Sequence, residues 1–100
     1  MNIKTKNKEG HVEVELSLKF TFSDAKPFKK ILDMVENEEL KSLTLNVGEL
    51  DYADSSALGM IMMLVDIAKR KELPLSLGGL HGHVEKLLKL AQIDKHFSVI

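Results

Sequence analysis

The sequence predicts an α/β fold: a single-layer mixed, mostly parallel sheet of four to five strands with helices packed on it. Period-two apolar runs alternate along the chain with helical i, i+3, i+4, i+7 stripes, and Gly and Pro punctuate the joins. The 100 residues suffice for a single core. Hydrophobic residues make up 44% and charged residues 29%, which argues against disorder.

Residues 1–10 are polar and lysine-rich and are expected to form a flexible lead-in to a single domain over residues 11–100. From His11 the chain alternates. Val12, Val14, Leu16, Leu18, Phe20 and Phe22 share the face expected to be buried, and Glu13, Glu15, Ser17, Lys19 and Thr21 share the wet one. One long strand, or a hairpin bent near Lys19, fits this pattern. Ser23 or Asp24 is expected to cap a first helix, with Pro27 tolerable in the first turn. Its stripe, Phe28, Ile31, Leu32 and Val35, covers the sheet, and Asn37-Glu38-Glu39 ends it.

Leu43, Leu45 and Val47 mark a central strand, followed by Gly48. A second helix carries Ala57, Leu58, Ile61, Leu64, Val65 and Ala68 on one face. It stops near Arg70-Lys71, cations suited to a helix C-terminus. Pro74 opens a short strand, Leu75-Ser76-Leu77, closed by Gly78-Gly79. Val84, Leu87, Leu88 and Ala91 stripe a third helix, and Phe97 and Val99 end the chain as a short strand or packed tail.

Composition removes several function classes. A net charge of −1 offers no basic field to nucleic acid or anionic membrane. No apolar run approaches the roughly 20 residues that span a bilayer. No apolar stretch follows the early lysines, so no signal peptide is expected and a cytoplasmic location is. With no cysteine there is no thiol chemistry, thiolate zinc site or disulfide. His81-x-His83 lacks carboxylate company and reads as loop or cap residues rather than metal ligands. No Gly-x-x-x-x-Gly-Lys loop and no Gly-x-Ser-x-Gly elbow occur, and no nucleophile–base pair stands out. Neither an enzyme nor a cofactor is expected.

What stands out is Asp54-Ser55-Ser56-Ala57-Leu58-Gly59, where a strand hands over to a helix. In such sheets sites gather at the carboxyl ends of strands. Taken alone, the Asp-Ser-Ser tripeptide reads first as a helix N-cap. Its functional reading is a hydroxyl modified by another enzyme, since the N–H groups of a first helical turn favour an added phosphate. Along the helix, Ser56, Met60, Met63 and Ile67 align beside the core stripe, with Met62 further round near Asp66. Methionines outside the core suit an adaptable docking surface. Met60 and Ile67 are expected to pack under a neighbouring element, and Met62 and Met63 to be exposed.

The order of these elements, the Asp54–Gly59 hexapeptide and the closing segment Gly79-Leu80, Val84, Leu87-Leu88-x-Leu90, Ile93 and Phe97 together resemble the STAS family over Val12 to Val99. That family includes the bacterial anti-sigma-factor antagonists. The resemblance implies a phosphoprotein of transcription regulation, which binds an anti-sigma factor when unphosphorylated and is released when Ser56 is phosphorylated. The anti-sigma factor would itself be a histidine-kinase-like serine kinase. Ser55 is the alternative acceptor and the better cap candidate. Asp54, Ser55, Ala57 and Gly59 form the neighbourhood of the switch, and Met60, Met62, Met63, Asp66 and Ile67 the surface that reads it. A cognate phosphatase and a homodimer stay open. The other implied reading is an accessory subunit of a membrane lipid or anion transport complex, with no phosphorylation. The sequence departs from the family pattern in three places: Ala57 replaces a common glycine, Asn46 a frequent aspartate, and Lys19-Phe20 stands where many members carry glycine.

Overall fold

A computed structural model describes all 100 residues. The elements run β1 (Asn2–Lys8), β2 (His11–Phe20), α1 (Ala25–Asn37), β3 (Ser42–Ala53), α2 (Ser55–Arg70), β4 (Leu75–Gly78), α3 (Gly82–Leu90) and β5 (Ser98–Val99). The five strands form one sheet in the order β1-β2-β3-β4-β5. β1 pairs antiparallel with β2, and the remaining neighbours are parallel, as the predicted mixed sheet requires.

Successive crossovers of one hand, each moving to the next strand, bring the helices to the same side. Phe28, Ile31, Leu32 and Val35 of α1, the stripe of α2, and Val84 and Leu88 of α3 share one 24-residue core with the inward side chains of the strands. The opposite sheet face is half-exposed and polar, with Glu13, Glu15, Thr44, Asn46 and Ser76. Arg70 clamps α2 to α1 through two guanidinium bonds to Glu36, both 2.9 Å. Lys71 Nζ donates to the carbonyls of Val35, Glu36 and Glu38 at 2.7–3.0 Å, satisfying the C-terminal end of α1.

Four expectations are corrected. Residues 1–10 are not a lead-in: Asn2–Lys8 form β1, with Lys4 opposite Glu15 and Lys6 opposite Glu13. The central strand does not stop at Gly48 but runs to Ala53. Its register against β2 skips a residue after Asn46 and again after Leu50, so its buried positions fall at Val47, Leu50 and Ala53 instead of every second residue. Leu18 leaves the buried face beside the second of these irregularities. Its φ of 71° swings it outward to 54% exposure. Phe22 leaves the face as well, because β2 has already ended at Phe20. Thr21 starts the first helical region, donating its N–H to Asp24 Oδ2 at 2.8 Å and accepting from the Asp24 N–H at 2.9 Å. That reciprocal pair opens a 3-10 turn on Phe22, which is 73% exposed. Asp24 remains buried beneath it.

Candidate functional site

The junction between β3 and α2 is built around Asp54. Its Oδ1 accepts the N–H of Ala57 at 2.9 Å, the N-cap bond of α2. Oδ2 accepts the N–H of Phe22 at 3.1 Å, and the Asp54 N–H donates to Phe20 O at 3.1 Å. One residue thereby sets where α2 begins and fixes the β2–α1 turn beside it. The cap is therefore Asp54 and not Ser55. Asp, Asn and Ser cap about equally well. The bond to Phe22 from 32 positions away in the chain accompanies the choice of Asp54.

Ser55 and Ser56 occupy the first two positions of α2 and are exposed. Their N–H groups belong to the first turn, which has no carbonyl one turn earlier to bond. The junction therefore presents two hydroxyls and two outward amides at the positive end of a 16-residue helix. Ala57 is fully buried, so the methyl it carries in place of a glycine packs into the core and leaves the serine surface unchanged.

The exposed face of α2 continues from the serines. Met60 and Met62 lie roughly 90° and 110° either side of the buried stripe, and Met63 about 150° from it. Accordingly Met60 is half-buried and Met63 is 53% exposed. Met62 is half-buried against the core, not exposed as its position beside Asp66 suggested. Asp66 is exposed. Met60, Met63 and Ile67 line an open groove of about 340 Å³ with Leu32, Lys29 and Glu36 of α1. Met60 and Ile67 thus do pack partly under a neighbouring element, at its edge. Gly59 is exposed on the same face, and a Cβ added to it would meet nothing within 4 Å.

Two exposed apolar residues beside the junction escaped the sequence reading. Phe22 adjoins Asp54 through its amide, and Leu18 sits one position before the Lys19–Tyr52 pair. The signal for Phe22 was present as Thr21-x-x-Asp24, a cap-and-return pattern that opens a 3-10 turn ahead of α1, whose N-cap position is Asp24 as expected. Tyr52 stacks on His83 with centroids 5.1 Å apart and planes 3° from parallel. His81, at the N-cap position of α3, turns to a different partner and donates Nε2–H to Gly48 O at 2.8 Å. The two histidines therefore hold α3 against β3 from separate points.

A model of the family described as "Mlab, STAS domain" matches residues 3–100. The chain belongs to the STAS family. The match takes in β1 from Ile3 onward, which the sequence resemblance had left outside. No curated protein matches the sequence. Among solved structures, the anti-sigma factor antagonist SpoIIAA in its unphosphorylated form superposes with a TM-score of 0.79, at 12% identity over 99% of this chain and 87% of its own. A serine-to-glutamate variant of RsbS from Moorella thermoacetica gives 0.83, at 15% identity over 100% and 86%. A sulfate transporter family protein from Wolinella succinogenes gives 0.77, at 19% identity over 92% and 77%. At such identities these neighbours establish the fold. No helix of the chain is long and apolar enough to cross a membrane.

Proposed function

We propose that this protein is an anti-sigma-factor antagonist: an interaction switch that binds an anti-sigma factor kinase through the α2 face and is released when Ser56 is phosphorylated. The observation that carries the reading is the exposed Ser55-Ser56 pair on a helix start whose geometry Asp54 fixes independently of either hydroxyl. Phosphoserine adds about −1.5 to −2 charges and three acceptor oxygens. The helix dipole and the outward amides offset repulsion from Asp54, so the fold tolerates the group. The change then falls on a partner, which meets charge on a surface it must desolvate.

Ser56 is favoured over Ser55 because it lies in line with Met60, Met63 and Ile67 along α2, so one partner would contact both hydroxyl and groove. Gly59 supports the same face. A glycine inside a helix costs about 1 kcal/mol relative to alanine, and no packing requires one here. Close backbone approach by a partner gives it a use. The anti-sigma factor antagonist SpoIIAA is known in unphosphorylated and phosphorylated forms.

A second reading, an accessory subunit of a membrane transport complex without phosphorylation, is favoured by the sulfate-transporter-family neighbour. Mass spectrometry of the Asp54–Leu58 peptide from the native host, paired with identification of copurifying proteins, separates the two. Phosphate on Ser56 with a histidine-kinase-like partner is the expected result. An unmodified peptide with a transporter ATPase would replace the first reading by the second.

A further inference from the structure

We propose that the outer edge of β1 is a second docking site, which accepts an extended segment of a partner protein whose acidic and apolar residues alternate. β1 is an edge strand of seven residues, paired on one side only. Along an edge strand, alternate residues aim both backbone N–H and C=O away from the sheet, a template for one more strand.

The side chains of β1 specify which strand. Lys4, Lys6 and Lys8 share its polar face, opposite Glu15, Glu13 and His11 of β2, yet none of the three makes an ion pair. On the other face, Ile3 and Thr5 join Pro27 and Ile31 of α1 in an open groove of about 780 Å³, with Lys26 and Lys30 also in its lining. An added strand would set its acidic residues beside the lysines and its apolar ones over the groove. β2 already pairs with β1 through this alternation on the inner edge, with Val12, Glu13, Val14, Glu15 and Leu16 in register. A second copy of β1 fits poorly, since it brings lysines against lysines, and like charges across a ladder are unfavourable. This site lies at the sheet edge, apart from the α2 face, and stands or falls separately from the switch.

A synthetic peptide copying Gly10–Ser17 is the probe, added to the isotope-labelled full chain. The expected result is amide shift changes in Asn2–Lys8 and along Lys26–Ile31, weakening as salt is raised. Peptide N-methylation should abolish binding by removing the strand hydrogen bonds, and the double variant Lys4→Glu, Lys6→Glu should weaken it by about tenfold or more. Should that variant misfold, salt dependence on the unaltered protein decides the charge term. No shift at millimolar peptide, shifts confined to α2, or equal binding of the N-methylated peptide would overturn the proposal. So would oleate vesicles shifting the same residues where the peptide does not, which would assign the groove to an anionic amphiphile.

Discussion

The carboxylate of Asp54 accepts the backbone N–H of Phe22 at 3.1 Å across 32 positions of sequence, while its other oxygen caps α2 through Ala57 at 2.9 Å. The same side chain holds two helix starts in fixed relation. Asp54→Ala should therefore lower stability by about 1–2 kcal/mol, more than an ordinary cap loss. Ser55→Ala should stay within about 0.5 kcal/mol of the parent, because Ser55 is exposed and caps nothing. Urea unfolding of both variants checks the assignment. Equal losses would return the cap to Ser55.

Gly59 should separate stability from binding. Gly59→Ala adds a methyl into open space on an exposed helical face and should stabilise the protein by about 0.5–1 kcal/mol. The same variant should weaken a partner seated on α2. Thermal unfolding and partner titration, run on one preparation, read the two effects.

Leu18 offers a complementary test. It is held at φ 71°, a left-handed conformation that costs a non-glycine residue about 1 kcal/mol, and its side chain is largely exposed. Leu18→Gly should leave stability unchanged or raised. If Leu18 and Phe22 form part of the docking surface, Leu18→Gly and Phe22→Ser should each reduce partner affinity by about tenfold. A loss of stability without loss of affinity would make both residues structural.

Acid sensitivity should trace to Asp24. Burial works to raise its carboxyl, but the Thr21 N–H, the Met1 ammonium at 3.2 Å and the Thr21 hydroxyl together hold it below the usual aspartate range. A depressed folded value means that its stabilisation is present above the unfolded value, about 3.9, and is lost as pH falls through the lower folded one. Asp24→Asn should be less stable at neutral pH, with a flatter stability profile below about pH 4. Urea midpoints across that range measure it, and parallel profiles for parent and variant would place the acid dependence elsewhere.

How far the sequence revealed the molecule depended on the range of each interaction. The α1 stripe, Phe28, Ile31, Leu32 and Val35, was legible in full because a helical period is local. The end of β3 was not. Two register irregularities interrupt the alternation between Asn46 and Tyr52, and nothing in the local residue types announces them. β1 was hidden by its lysines, since an edge strand open to solvent needs no apolar face and is defined by its pairing with β2. The Asp54–Gly59 segment was legible as a junction. The division of labour within it was not, because the Asp54–Phe22 bond is tertiary.

The central claim is that the state of Ser56 controls binding. The most direct measurement is the affinity of the copurified partner for two full-length forms of this protein, one unmodified and one carrying phosphoserine at position 56. Circular dichroism on both would show that the fold is kept. A loss of affinity of about tenfold or more on phosphorylation, with unfolding midpoints alike, is the predicted result. Equal affinity for the two forms would contradict it.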